Sequence, residues 1–121
     1  MTTVLVAEEN DSVRKLLCRI LQRQGYEVLA APNAGEALEL GRGHPAPLDL
    51  LLADMIFPQM TATELAGQLA ASRPRMKVIY MSGYSSEHLQ EKGLLKPGLP
   101  FLQKPFTSDA LLRAVRTVLE S

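Results

Sequence analysis

The stretch Asp49-Leu50-Leu51-Leu52-Ala53-Asp54-Met55-Ile56-Phe57-Pro58 (DLLLADMIFP) decides the fold. Its apolar run shows no alternation, the pattern of a strand buried on both faces, as in a parallel sheet. The run then ends on a carboxylate. An unpaired carboxylate beside an apolar core is costly, so Asp54 needs a partner or a task.

The same pattern recurs on either side. Val4–Ala7 is a short apolar run stopped by Glu8-Glu9-Asn10-Asp11. Asp11 or Ser12 is expected to cap a first helix whose apolar set is Val13, Leu16, Leu17, Ile20 and Leu21, with Gly25 just past its end. Tyr26–Ala31 reads as the second strand. Asn33 caps a second helix through Ala34, Ala37 and Leu38, and Gly43, Pro45 and Pro47 mark the loop after it. Leu48–Ala53 is the third strand, and Met60–Ser72 a helix with Leu65 and Leu69 inward. Val78–Met81 is the fourth strand, and Ser85 or Ser86 starts a short helix reaching about Lys92. Phe101–Gln103 is a brief last strand. Thr107 or Ser108 then caps a helix carrying Leu111, Leu112, Val115, Val118 and Leu119 on one face. Strands alternating with helices predict an α/β fold, a doubly wound parallel sheet with helices on both faces.

Length and composition agree with one domain over residues 1–121. Hydrophobic residues make up 46% and charged residues 21%, a globular rather than a disordered balance. Thirteen basic and thirteen acidic residues cancel, so direct binding of nucleic acid is not expected. Cys18 is the single cysteine, which rules out an intrachain disulfide and suits a reducing cytoplasm. Neither a signal peptide nor an apolar run near the ~18 residues of a membrane span is visible, so no membrane contact by this domain is expected.

In an open parallel sheet, ligands bind beyond the carboxyl ends of the strands. There the first strand offers Glu8 and Glu9, the third Asp54, the fourth Ser82 and the last Lys104. Each alone has an ordinary explanation, as a helix cap or a turn residue; the joint placement is what points to chemistry. Carboxylate oxygens suit a hard cation such as Mg²⁺. A metal ion, an ammonium and a hydroxyl together would keep Asp54 ionised and cradle a phosphoryl group.

The whole set resembles the receiver domain of two-component response regulators. VLVAEENDSVRKLLCRILQRQGYEVLAAPNAGEAL resembles the family's opening, and DLLLADMIFPQMTATEL its phosphorylation segment. VIYMSGYSS carries the Ser/Thr position at Ser82, and FLQKPFTSDALLRAVRTVL the Lys-Pro pair at Lys104-Pro105. The wording YMSGY and FLQKPF is similar to receivers at the C-terminus of hybrid sensor histidine kinases. The resemblance implies a flavodoxin-like five-stranded sheet of order 2-1-3-4-5. It also implies phosphoryl transfer from a phosphohistidine, on a histidine kinase or histidine phosphotransfer domain, to Asp54. Mg²⁺ would be held by Glu8, Glu9, Asp54 and the backbone carbonyl of Ile56. Lys104 would pair with Asp54 or the phosphoryl group, and Ser82 and Phe101 would swing inward as the switch. The face made by the fourth helix, last strand and last helix would then meet partners or form a homodimer.

Three positions depart from the family's habit. Glu9 stands where Asp is usual, which predicts weaker metal binding. Ala62 replaces a common Gly, a constraint if that backbone needs positive φ. Phe101 lacks the hydroxyl of the commoner Tyr. Glu9 and Ala62 favour an alternative, a degenerate receiver that binds partners without phosphorylation, and the intact Asp54 and Lys104 count against it. Ile56 and Tyr84 are expected to flank the path of an attacking water and slow self-dephosphorylation. A haloacid-dehalogenase-type phosphotransferase lacks its second acid here, and no Gly-Lys-Ser/Thr phosphate loop exists. Cys18 reads as a packing residue, and His44 and His88 as surface residues.

Overall fold

A computed structural model describes residues 1–121. In chain order its elements are β1 (Thr3–Ala7), α1 (Asp11–Arg23), β2 (Glu27–Ala31), α2 (Ala34–Gly43), β3 (Leu50–Asp54), β4 (Ile56–Phe57), β5 (Met60–Thr61), α3 (Ala62–Ala70), β6 (Lys77–Ser82), α4 (Ser86–Glu91), β7 (Phe101–Gln103) and α5 (Ser108–Glu120). Five strands form one parallel sheet in the order β2-β1-β3-β6-β7. This is the expected 2-1-3-4-5 order once the small β4–β5 hairpin is set aside.

Strand alternation divides the apolar residues between two layers. Leu5, Ala7, Leu51, Ala53 and Tyr80 point to one face and pack on α2, α3 and α4 through Ala37, Leu65, Leu69 and Leu89. Val4, Val6, Leu50, Leu52, Ile79 and Met81 point to the other, against Leu17 and Leu21 of α1 and Leu111 and Val115 of α5. Most of these side chains are fully buried. Each large one contributes about 1.5–3 kcal/mol relative to exposure. That two-sided burial is why the central strands read as unbroken apolar runs.

Several local expectations change. The cap of α1 is Asn10, whose Oδ1 accepts from the Val13 N–H at 3.0 Å, and not Asp11 or Ser12. All three residue types cap about equally well, so the turn after β1 makes the choice. Leu16 is 52% exposed, outside the buried stripe. Residues 60–61 are not helical: Ile56↔Thr61 and Phe57↔Met60 pair as a hairpin. Its turn has Pro58 followed by Gln59 at φ 81°, the positive-φ position of a type II turn. The Gln59 side chain accepts from the Gly35 N–H at 3.3 Å, tying the hairpin to the start of α2. Thr61 then caps α3 in a reciprocal capping box with Glu64. Ala62 is therefore a buried first residue of α3 with ordinary helical backbone, and it imposes no constraint.

His44 is not a simple surface residue. It is half-buried at the end of α2, with Nε2 3.1 Å from Glu27 Oε1. The loop it opens is held by Arg73, which donates from Nε to Gly41 O (3.0 Å), from Nη1 to Ala46 O (2.8 Å) and from Nη2 to His44 O. His88 is exposed as expected. No helix is long and apolar enough to cross a membrane.

Candidate functional site

The parallel register aligns the carboxyl ends of the strands: Ala7 lies beside Ala53, Asp54 beside Met81, and Ser82 beside Gln103. The residues just past these strands therefore gather on one rim. Lys104 is fixed there by its own backbone, whose N–H donates to Ser82 O at 2.7 Å. Glu8 is placed by its N–H to Ala31 O at 3.1 Å. The guanidinium of Arg14 also donates to the backbone carbonyls of Glu8 (2.9 Å) and Glu9 (3.2 Å), which pins the acidic turn.

A cleft of about 450 Å³ results, lined by Glu8, Glu9, Asn10, Asp54, Ile56 and Lys104. Its centre is the ammonium of Lys104, which donates to Asp54 Oδ2 at 2.6 Å and also to Glu8 Oε1. The remaining oxygens of both acids are engaged: Asp54 Oδ1 accepts from the Ile56 N–H at 3.1 Å, and Glu8 Oε2 from the Asn10 N–H at 3.0 Å. Glu8 is buried and Asp54 partly so, whereas Glu9 is exposed.

Burial pushes the Asp54 carboxyl above its ordinary value, and the Lys104 ammonium offsets only part of that. For Lys104 burial works against the charge, but hydrogen bonds to Asp54 and Glu8 outweigh it and raise its pKa. One ammonium thus serves two carboxylates. Asp54 has its partner after all, a lysine 50 residues away in sequence.

The chemistry of the donor set bears on Mg²⁺. Three carboxylates and one ammonium line the cleft, which leaves two negative charges uncompensated, and all the donors are hard oxygens. In kind and in charge they fit a divalent cation that keeps several waters. As the side chains stand, no three acidic groups close around a single point, because Glu8 is turned to Lys104.

The expected residues are not all together. Glu8, Glu9, Asp54, Ile56 and Lys104 share the cleft. Ser82 is buried beside it, and its Oγ accepts from the Tyr84 N–H at 3.1 Å. Phe101 lies on the edge strand in register with Tyr80, half-buried. Ile56 lines the cleft with an exposed side chain, but Tyr84 does not. Its ring stacks on His88 at 5.0 Å between centroids, with 25° between planes. Asn10 and Arg14 are contributors that strand-end reasoning passed over. The acidic turn itself held the signal for Asn10, whereas the Arg14 contacts to backbone carbonyls leave no mark in a sequence.

The model of the response regulator receiver domain matches residues 4–116. The chain belongs to that family. This receiver is 33% identical over 118 residues to the sensor kinase CckA of Brucella abortus, covering 98% of this chain but 12% of that protein. It is 29% identical to the response regulator receiver protein CpdR of the same organism, covering 98% of both chains. The crystal structure of the receiver domain from the hybrid histidine kinase CckA superposes with a TM-score of 0.81 at 30% identity, covering 97% of this receiver and 98% of that chain. The shared strand order and two-component membership are thereby established for this receiver.

Proposed function

We propose that this receiver, acting as one unit over residues 1–121 in the cytoplasm, is a phosphoacceptor switch. It takes a phosphoryl group from a phosphohistidine of a histidine kinase or histidine phosphotransfer domain. One observation carries the reading: Asp54 sits at the end of the central strand with Oδ2 2.6 Å from Lys104 Nζ and Oδ1 held by the Ile56 N–H. That orients the carboxylate toward the cleft and leaves it a nucleophile. In the transfer, a carboxylate oxygen of Asp54 forms a bond to phosphorus as the P–N bond breaks, and the electron pair returns to the imidazole nitrogen. Lys104 stays beside the reacting oxygens and balances the charge that the phosphoryl group brings.

Glu8, Glu9, Asp54 and the Ile56 carbonyl would hold Mg²⁺, which supplies charge neutralisation for the phosphoryl oxygens when bound. Ser82 is poised to exchange its bond from the Tyr84 N–H for one to a phosphoryl oxygen. Phe101 would follow it inward and alter the face of α4, β7 and α5, where a partner or second copy would dock. Ile56, exposed over the cleft, would slow attack by water and so lengthen the life of the acyl phosphate. The test is thermal unfolding with Mg²⁺ and beryllofluoride, with Asp54→Asn as control. A rise in midpoint that needs both additives and is lost in the variant supports the reading. No rise at high Mg²⁺ refutes it.

A second reading is a phosphorylation-independent interaction module, in which Lys104 permanently occupies the place of a cation. The Lys104 bridge between Glu8 and Asp54, with Glu9 left in solvent, favours it.

A further inference from the structure

Gln59 is the only non-glycine residue of the chain with positive φ, at 81°. Glutamine has no preference for that backbone, which Gly or Asn occupies more easily. Its side chain shows what is gained. Oε1 accepts from the Gly35 N–H at 3.3 Å, across 24 residues of sequence. Gly35 is the second residue of α2, where backbone N–H groups have no partner within the helix. The cap, Asn33, takes the Glu36 N–H at 2.9 Å and leaves that of Gly35 to Gln59. This is the one side-chain hydrogen bond that leaves the turn of the hairpin for another element.

The hairpin is a short lever. Its turn rests on α2 through Gln59, and Phe57, 5% exposed, seats its middle in the core. Its other end carries Ile56, paired with Thr61, and Met55, whose carbonyl accepts from the Ala62 N–H at 3.2 Å. Ile56 in turn donates its N–H to Asp54 Oδ1 at 3.1 Å, while Lys104 holds Oδ2. A tilt of the hairpin therefore moves one of the two donors that aim the Asp54 carboxylate.

We infer that Gln59 is a positioning residue for the acidic cleft, latching the hairpin to α2 so that the Ile56 backbone stays aimed at Asp54. Gln59 itself does not line the cleft, and its effect is carried by the backbone of residues 56–59. Under the phosphoacceptor reading, on which this use of the cleft rests, the same backbone offers the Ile56 carbonyl to Mg²⁺. A loosened latch then weakens cation binding as well as misaligning the nucleophile. An asparagine side chain would suit positive φ but fall one methylene short of Gly35. Reach is what glutamine supplies.

The test compares Gln59→Met, Gln59→Gly and Gln59→Glu with the unaltered chain. Backbone ¹⁵N order parameters of Ile56 and Phe57 are read without metal, and Mg²⁺ affinity is read from the Ile56 amide shift at constant ionic strength. Gln59→Met keeps the length and loses the acceptor; Gln59→Glu keeps an acceptor that a helix N-terminus favours. Lower order parameters and about fivefold weaker Mg²⁺ binding are expected in Gln59→Met and Gln59→Gly, the worth of about one net hydrogen bond, with both held in Gln59→Glu. Gln59→Gly should at the same time unfold at or above the parent's urea midpoint, because its backbone is relieved. A purely structural role would move the midpoint and leave Ile56 as it is. Order parameters unchanged in Gln59→Met, or lowered as much in Gln59→Glu, would overturn the latch. They are read on the metal-free protein, so they decide it even where the unaltered chain binds no Mg²⁺, an outcome that counts against the phosphoacceptor reading alone.

Discussion

Replacing Lys104 with Met tests whether one ammonium holds the rim together. The side chain is 23% exposed and lies between Glu8, 3% exposed, and Asp54, 18% exposed. Met keeps most of the aliphatic stem, so packing is largely preserved and the change isolates charge. Two carboxylates, each with one backbone N–H still donating, are then left close together without a counter-ion. Removing one partner of a buried pair costs about 3–5 kcal/mol; the partial exposure of Asp54 puts the expectation near 3 kcal/mol at pH 8. For a chain of this size that lowers the midpoint by roughly 10 °C.

The loss should depend on pH in a stated direction. Without Lys104 the two-acid cluster binds a proton more readily folded than unfolded, so stability rises as pH falls, by up to about 1.4 kcal/mol per pH unit per proton. Most of the deficit should therefore vanish by about pH 5. A second change, Asp54→Asn in the same background, should recover a large part of it at pH 8. Urea unfolding from pH 5 to 8 measures all three quantities. A deficit below about 1 kcal/mol, or one that stays constant with pH, would refute the shared-ammonium account.

Asp54→Asn alone should leave the fold as stable or more stable at pH 7. The folded Asp54 pKa lies above the ordinary 3.8, so ionisation costs stability as pH rises through that window, and urea midpoints of the variant should be flatter there. In the unaltered protein the raised Lys104 pKa gives the same sign in an alkaline window. Its contribution is complete below the ordinary 10.5 and is lost above it, so alkaline unfolding should be delayed relative to Lys104→Met. Arg73→Lys should cost about 1–3 kcal/mol, because an ammonium lacks the fork that reaches the carbonyls of Gly41, His44 and Ala46 together. Faster amide exchange around residues 44–47 would report it. Gly41→Ala gains about 1 kcal/mol of helix propensity, but its Cβ would meet Leu69 Cδ2 at 2.5 Å in a closed core. Overpacking of about 1–3 kcal/mol should win, and a variant more stable than the parent would show that Leu69 repacks freely.

The fold was legible because its central strands are buried twice over. Val4–Ala7, Leu50–Ala53 and Val78–Met81 have no polar face, and only a covered parallel sheet accounts for three such runs between helical patterns. The cap with one good candidate, Asn33, was also readable, and Thr107 was one of two adjacent candidates for the cap of α5. Where adjacent residues were equally suited, as in the acidic turn before α1, tertiary hydrogen bonds decided. The β4–β5 hairpin escaped notice because strands of two residues carry no periodicity. Its Pro58-Gln59 turn lacks the Gly or Asn that usually announces positive φ.

The rim residues were readable from topology alone, since each lies at the carboxyl end of a strand or just past it. Their pairing was not. Lys104 reaches Glu8 across 96 residues of sequence, and nothing local says which of two neighbouring acids turns inward. The structure supplies the cause. Arg14 holds the carbonyls of both Glu8 and Glu9, and the Glu8 N–H remains in the ladder beside β2, so the backbone of the turn is fixed before either side chain is placed. Glu8 is thereby directed at Lys104 and buried, and Glu9 at solvent. A longer side chain in a closed pocket would displace its neighbours, but an exposed one on a pinned backbone has room to fold back over the cleft. The extra methylene of Glu9 therefore costs one further rotatable bond on binding rather than steric strain, the low end of the about 0.5–1.5 kcal/mol that a whole immobilised side chain costs. That predicts an affinity for a divalent cation lowered by a small factor, not abolished. Glu9→Asp should raise it by the same factor without moving the unfolding midpoint of the metal-free protein.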